Sequence, residues 1–136
     1  MNRQRGITFD TGALIALERK RLAMDRVYAT AQRHNVPITV LTVVIAEWWR
    51  AGAGRRFREL LLASVLVEDL TKRVASLAGE FLGRVRGVKP DKGTIDAIVL
   101  TSAWLRGDVI YTSDVDDFRA IQASAMEFGK VVIERV

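Results

Sequence analysis

The sequence alternates short runs typical of β-strands with longer stretches that carry a helical pattern. The strand-like runs are rich in β-branched or aromatic residues and cover residues 7–9, 37–41, 65–67, 109–112 and 131–134. Apolar residues at helical spacing occupy residues 13–20, 23–34, 43–50, 55–63, 71–85, 94–106 and 115–125. Strands joined through helices need right-handed crossovers, so the alternation predicts an α/β fold. Its mostly parallel central sheet of about five short strands should be covered by helices on both faces.

The composition fits one folded unit. The 136 residues are 49% hydrophobic and 27% charged, which is enough apolar material for one core, so we expect residues 1–136 to form a single domain. The longest apolar stretch, residues 36–46, is much shorter than the about 20 apolar residues of a membrane span. No signal-peptide pattern precedes the first strand-like run. We therefore expect a cytoplasmic protein without a membrane segment.

The near absence of Cys and His excludes many kinds of chemistry. The chain has no Cys, so it lacks disulfides, thiol nucleophiles and Cys-based zinc sites. Its one His, His34, cannot supply the imidazole pair of His-dependent ribonucleases or a multi-His metal site. Any catalysis would depend on carboxylates, hydroxyls, Lys or Arg. The net charge of +5 favours a polyanionic partner such as nucleic acid.

Four acidic residues occupy positions that a parallel sheet would bring to one edge. Asp10 follows the first strand-like run and Asp114 follows the fourth. Glu47 lies on the helix after the second run, and Asp96 lies in the first turn of the predicted helix 94–106. Because the carboxyl ends of parallel strands share one edge of the sheet, we expect these side chains to lie close together.

Each of these acids also has an ordinary structural interpretation. Asp10 and Asp114 are suited to cap helices, Asp96 could complement a helix dipole, and Glu47 could be a helix-surface residue. Their convergence favours a cation instead, because carboxylates at one edge repel each other unless they protonate or bind a positive ion. Oxygen ligands suit Mg²⁺ or Mn²⁺, and one or two such ions could activate water against a phosphodiester.

Four segments of the sequence together resemble the motifs of a PIN domain and, more narrowly, of VapC-type toxins of bacterial toxin–antitoxin pairs. They are FDTGALIAL at 9–17, IAE at 45–47, TIDAI at 94–98 and YTSDVDDF at 111–118. The segments occur in the family's order across most of the chain. The resemblance implies a PIN-like three-layer fold and a Mg²⁺- or Mn²⁺-dependent endoribonuclease. It also implies an RNA substrate, a homodimer and inhibition by a small VapB-like antitoxin.

The resemblance assigns roles to individual residues. The catalytic acids are Asp10, Glu47, Asp96 and Asp114, with Asp117 as the accessory acid. Asp116 is the less favoured candidate for that fifth position. Asp10, Asp96 and Asp114 are the implied metal ligands. The implied supporting hydroxyls are those of Thr11, Thr112 and Ser113.

Basic residues after Glu47 are candidates for RNA binding. Arg50, Arg55, Arg56 and Arg58 could contact RNA phosphates or the acidic part of an antitoxin, or they could form a solvated helix face. The basic run at 19–21 has a simpler explanation, because cations at a helix C-terminus interact favourably with the dipole.

Two other functional classes compete with the nuclease. A non-catalytic PIN-like RNA-binding or regulatory module would normally have lost some of the acids, and none is missing here. A phosphotransferase of the haloacid dehalogenase type would need a second Asp two positions after Asp10, where this chain has Gly12. Dinucleotide binding is disfavoured because the sequence has no GxGxxG motif.

Overall fold

The computed structural model describes residues 5–50, 54–85 and 90–136, except for the side chains of residues 90–92 and 126. Its strands are β1 (Ile7–Phe9), β2 (Ile38–Leu41), β3 (Leu66–Glu68), β4 (Val109–Thr112) and β5 (Ile133–Arg135). Its helices are α1 (Thr11–Glu18), α2 (Leu22–Arg33), α3 (Thr42–Arg50), α4 (Arg55–Ala63), α5 (Lys72–Leu82), α6 (Pro90–Arg106) and α7 (Val115–Ser124), with a 3-10 turn at Met126–Phe128. Among these described helices, none is long and apolar enough to cross a membrane.

The strands form one parallel sheet in the order β3-β2-β1-β4-β5. In the register, Ile7 of β1 pairs with Ile38 on one side and with Val109 on the other. The chain leaves β1 toward β2 and later returns to the opposite side of β1 through β4. The carboxyl ends of β1 and β4 therefore form the switch point at which doubly wound sheets bind ligands. The predicted α/β fold with a parallel central sheet is confirmed.

Aromatic packing holds α6, the helix that carries Asp96, against the rest of the core. Phe81 of α5, Trp104 of α6 and Phe128 of the 3-10 turn pack edge to face, with ring centroids between 4.5 and 5.9 Å apart. Phe81 and Phe128 are buried. Such aromatic pairs contribute beyond their buried area and restrict how neighbouring helices can shift.

The C-terminal end of α6 is anchored to the sheet by Arg106. Its Nε donates to Asp108 Oδ2 (2.9 Å), its Nη2 donates to Thr8 Oγ1 (2.8 Å), and its Nη1 pairs with Glu68. The Thr8 hydroxyl in turn donates to Asp108 Oδ2 (2.8 Å), so these buried polar groups satisfy each other. Asp108 precedes β4, at the edge of the sheet opposite the carboxyl ends, and is a structural carboxylate.

Some element boundaries differ from the sequence prediction. Helix α6 begins at Pro90 rather than at residue 94, in keeping with the preference of proline for the first turn of a helix. Asp96 therefore lies in the second turn, and the prediction that it occupies the first turn is wrong. Helix α1 ends at Glu18 rather than at residue 20, because Lys20 adopts a left-handed φ of 56°. The last strand begins two residues later than predicted, at Ile133.

Candidate active site

The ends of β1 and β4 bring Asp10 next to the segment that leads to Asp114. Phe9 pairs with Tyr111 in the register, and the N–H of Asp10 donates to the carbonyl oxygen of Tyr111 (3.4 Å). Asp10 is the N-cap of α1, with its Oδ1 accepting from the N–H of Ala13 (2.9 Å). Its side chain is only 4% exposed. The capping interpretation is thus correct for Asp10, and it uses one of the two carboxylate oxygens.

Thr112, the last residue of β4, connects the two acids. Its hydroxyl donates to Asp10 Oδ2 and accepts from the backbone N–H of Asp114 (2.9 Å). Asp114 occupies the N-cap position of α7, but its carboxylate makes no capping hydrogen bond. The hydroxyl of Thr112 therefore fixes the position of Asp114 while the Asp114 carboxylate remains available for another role.

Gly12 allows the loop after β4 to approach the first turn of α1. A Cβ placed on Gly12 would lie 2.1 Å from Ser113 Oγ, 2.9 Å from Ser113 Cβ and 3.0 Å from Ser113 N. The last two atoms belong to the rigid part of Ser113, so a rotamer change could not relieve the clash. The glycine is therefore a steric requirement of the site.

Glu47 reaches the same region from α3. The Thr11 hydroxyl donates to Glu47 Oε1, which ties the start of α1 to the middle of α3. Glu47 is half-buried. The Thr11 and Thr112 hydroxyls thus each orient one carboxylate, as expected for supporting residues.

Burial and neighbouring charge act together on Asp10. The pKa of the Asp10 carboxyl is raised to about 6, and burial is the largest cause. The charges of Asp114 and Glu47 also raise the pKa, while the hydrogen bonds from Thr112 and Ala13 lower it. Near neutral pH this carboxylate therefore carries a substantial electrostatic cost.

The electrostatic cost is greater for Asp96. Burial, as the largest cause, and the charges of neighbouring acids together raise the pKa of its carboxyl to about 7; these acids are Asp10, Asp114, Asp117 and Glu47. Asp96 is half-buried in the second turn of α6, beyond the part of a helix where the dipole favours an acid appreciably. All five predicted acids thus lie close enough to interact through their charges.

The structure distinguishes Asp117 from its neighbour Asp116. The charge of Asp117 raises the pKa values of Asp96 and of Asp114, where burial is again the first cause. The side chain of Asp116 is 91% exposed and lies 3.9 Å from Arg135 Nη2. Of the two candidates, Asp117 is the one that belongs electrostatically to the cluster.

The acids suit a divalent cation by their chemistry. Over the described ranges, no three Asp, Glu or His side chains form a ready coordination shell. The cluster is instead a set of carboxylates with mutually unfavourable charges, two of which accept hydrogen bonds from threonine hydroxyls. A hard cation such as Mg²⁺ or Mn²⁺ would offset that repulsion, and these ions prefer carboxylate oxygens.

Arg58 departs from the sequence prediction. Its side chain is 2% exposed, and it donates from Nε and Nη2 to the two carboxylate oxygens of Glu18 (2.8 and 3.0 Å). Its guanidinium lies 5.0 Å from the ring centroid of the buried Trp48. The prediction that Arg58 contacts RNA is therefore wrong. Its spacing of three residues from the buried Leu61 is the sequence signal that places it on the inner face of α4.

The other three predicted arginines are exposed. Arg50 ends α3, while Arg55 and Arg56 begin α4. Arg55 pairs with Glu59 one turn later (2.9 Å), an exposed pair of small energetic value. These three side chains remain available for a polyanion.

Comparison with known proteins identifies the fold. No protein-family model matches the chain, and no curated protein matches it significantly. Among solved structures, it is similar to the crystal structure of VapBC2 from Rickettsia felis bound to a DNA fragment from their promoter, with 13% identity and a TM-score of 0.73 over 96% of this chain and 98% of that chain.

Two further solved structures have a similar fold. DNA-bound VapBC from Salmonella typhimurium is 15% identical, with a TM-score of 0.67 over 97% of this chain and 98% of that chain. A toxin–antitoxin complex from Klebsiella pneumoniae is 20% identical, with a TM-score of 0.63 over 83% of this chain and 90% of that chain. The chain therefore has the PIN-like α/β fold found in solved VapBC structures, as its sequence motifs predict.

Proposed function

We propose that this protein is the toxin of a toxin–antitoxin pair and acts as a Mg²⁺- or Mn²⁺-dependent endoribonuclease. The observation that carries the proposal is the group of five interacting carboxylates at the switch point of a parallel sheet, in a chain of net charge +5. The similarity to VapBC structures supports the same class of function. We also propose an RNA substrate, a VapB-like antitoxin as partner and a homodimeric assembly.

In this proposal Asp10, Asp96 and Asp114 hold the metal, and Glu47 and Asp117 complete the acidic site. The bound ion would polarise the scissile phosphodiester and lower the pKa of a water that attacks phosphorus. The chain's own hydroxyls orient the ligands, because Thr112 donates to Asp10 and Thr11 donates to Glu47.

Glu47 and Ser113 have groups available for the substrate side of the site. Glu47 Oε2 has no hydrogen bond to another described residue, so it can accept a hydrogen bond from water or from a ribose hydroxyl. Ser113 is exposed next to Gly12 and can donate to a phosphate oxygen. Arg50 and Arg56 are exposed cations that would attract the RNA backbone.

A non-catalytic RNA-binding module is the alternative. The hydrogen bonds that orient two of the acids favour catalysis, because a binding module has no need for a strained and positioned carboxylate cluster. The two functions differ in whether an intact RNA chain survives incubation with the protein and a divalent ion.

The test is RNA cleavage by purified protein in Mn²⁺, with mapping of 5′-phosphate ends. We expect EDTA to abolish cleavage. We expect Asp114→Asn to reduce cleavage by a factor of about 100, the upper end of the range seen when the groups around a metal ligand are altered. Asp116→Asn is the matched control, because it removes the same charge from an exposed position two residues away. It should cleave normally.

Growth arrest provides the cellular measurement. Induced expression of the wild type should stop bacterial growth, Asp114→Asn should not, and co-expression of the protein encoded beside it should restore growth. Full cleavage by a folded Asp114→Asn protein would contradict the nuclease assignment.

A further inference from the structure

A groove lies between α1 and α2 and opens beside the acidic cluster. Its volume is about 600 Å³. Its lining includes Ile15 and Ala16 of α1, Leu22, Ala23 and Met24 of α2, and Gly12, Ser113 and Val136. Gly12 and Ser113 neighbour the acids Asp10 and Asp114 in sequence. Arg19 and Arg21 line it in the turn between the two helices. The groove is thus apolar along its walls and positively charged at the end away from the acids.

The turn that carries the two arginines has a well-defined backbone. Lys20 adopts φ 56°, and the N–H of Arg21 donates to the carbonyl oxygen of Ala16 (2.9 Å), the bonding expected where a left-handed residue ends a helix. Arg19 and Arg21 are exposed, and neither forms an ion pair with a described carboxylate. The backbone that carries both charges is therefore fixed, and their guanidinium groups are open to solvent and to a ligand.

Leu22 adds an unusual apolar surface beside these charges. Its side chain is 63% exposed, although it is a large aliphatic residue at the first position of α2. Unstacked nucleobases can be held between aromatic or apolar side chains, while arginines contact the phosphates. Helix α1 has eight residues and is about 12 Å long, which matches about three nucleotides at the 3.4 Å spacing of a stacked strand.

We infer that this groove binds the single-stranded segment of RNA next to the cleavage point, with bases against its apolar walls and phosphates on Arg19 and Arg21. The inference rests on the proposed nuclease function. An RNA chain whose phosphate lies at the acids must continue along a neighbouring surface, and this groove begins at Gly12 and Ser113, which flank the acids in sequence. The sequence run at 19–21 therefore has a role beyond its interaction with the helix dipole.

The charge test compares two double variants in binding a fluorescein-labelled single-stranded RNA of mixed sequence, measured by anisotropy in EDTA. Arg19→Gln with Arg21→Gln should raise Kd about tenfold. It should also make the slope of log K against log salt shallower by about 1.4, since each phosphate contact to a single strand contributes about 0.7. Arg33→Gln with Arg73→Gln removes the same charge from exposed positions that do not line the groove, and should leave the slope unchanged.

The steric test fills the groove without changing its charge. Ala23→Trp places an indole between the walls and should weaken RNA binding about tenfold and raise KM for cleavage in Mn²⁺, with the fold preserved because Ala23 is exposed. Ala29→Trp, at an exposed position of the same helix outside the groove, is the matched control.

The outcomes separate this inference from the proposed function. If the wild type cleaves RNA while both groove variants keep its Kd, salt slope and KM, the groove does not bind RNA. A peptide partner would then be its better occupant, and the nuclease assignment would stand. If the wild type cleaves no RNA in Mn²⁺ or Mg²⁺, the proposed function fails and the groove inference fails with it. Weakened binding in both groove variants, with normal binding in both controls, supports the inference.

Discussion

Replacing Asp96 with Asn should stabilise the metal-free protein. The pKa of Asp96 rises from 3.8 to about 7, which at 1.36 kcal/mol per unit corresponds to about 4 kcal/mol above neutral pH. Asp96 is half-buried, so solvent screening reduces this figure, and we expect a gain of about 2 kcal/mol. A carboxyl whose folded pKa is raised contributes its stability fully below about pH 4 and loses it as the pH rises through about 7. The gain from Asn should therefore be greatest in alkaline solution.

Urea unfolding in EDTA at about pH 8 and about pH 5 measures the effect. The difference in the free energy of unfolding between Asp96→Asn and wild type should be about half as large at the lower pH. At that pH most of the wild-type Asp96 carboxyl is protonated in the folded state. Asp116→Asn is the control, since its exposed charge should change stability by less than about 0.5 kcal/mol. Mn²⁺ should raise the Tm of the wild type more than that of Asp96→Asn, because the ion binds the native state through the carboxylates.

Two results would refute the reasoning. One is an Asp96→Asn protein that is less stable than wild type in EDTA at about pH 8, which would make Asp96 a stabilising residue of α6. The other is a gain that does not change with pH, which would show that the repelling charges are not its cause. An Asp96→Asn protein that is more stable than wild type but fails to cleave RNA would show that the acids needed for activity destabilise the fold.

The remaining predictions concern pH, sterics and the buried ion pair. The free energy of unfolding of the metal-free wild type should fall between about pH 4 and about pH 7, because the pKa of Asp10 is also raised, to about 6. Mn²⁺ should flatten this profile. A rise in stability over that range would contradict the repulsion between the clustered acids. Gly12→Ala should lower the free energy of unfolding by about 1–3 kcal/mol and reduce cleavage, because its Cβ would clash with Ser113. Gly79→Ala, with open space around its added Cβ, should instead stabilise α5 by roughly 0.5–1 kcal/mol. Equal effects of the two variants in urea unfolding would show that the contact with Ser113 does not matter. Arg58→Ala should lower the free energy of unfolding by about 3 kcal/mol in the same assay, because it leaves the Glu18 carboxylate without its buried partner. It should leave the slope of log K against log salt for RNA binding unchanged. A shallower slope would indicate that Arg58 contacts RNA.

Local patterns predicted the architecture and most of the candidate site. Strand and helix periodicities are properties of neighbouring residues, and the rule of right-handed crossovers leaves few ways to arrange alternating strands and helices. The acids after β1 and β4 could be assigned to one edge because parallel strands all end on the same side of the sheet. Asp10 and Asp114 were therefore predictable as neighbours without any knowledge of their contacts.

Helix ends were less predictable from the chain alone. The apolar run after Asp96 indicated a helix, but the helix begins earlier, at Pro90, and this moves Asp96 from the first turn to the second. The choice between Asp116 and Asp117 likewise depended on how α7 is rotated over the sheet, because adjacent helical residues point about 100° apart.

Contacts between distant segments were decided only by the tertiary structure. Arg58 looked like a surface cation because its partner Glu18 lies 40 residues earlier, and only the tertiary structure brings the two side chains together. The two hydrogen bonds of the Thr112 hydroxyl and the groove lined by Arg19 and Arg21 likewise depend on segments that are distant in sequence. The sequence by itself determined the order and type of the elements and the edge of the sheet at which the acids gather, because these follow from local period and strand direction. Which side chains meet across elements depended on how those elements pack, which no local pattern encodes.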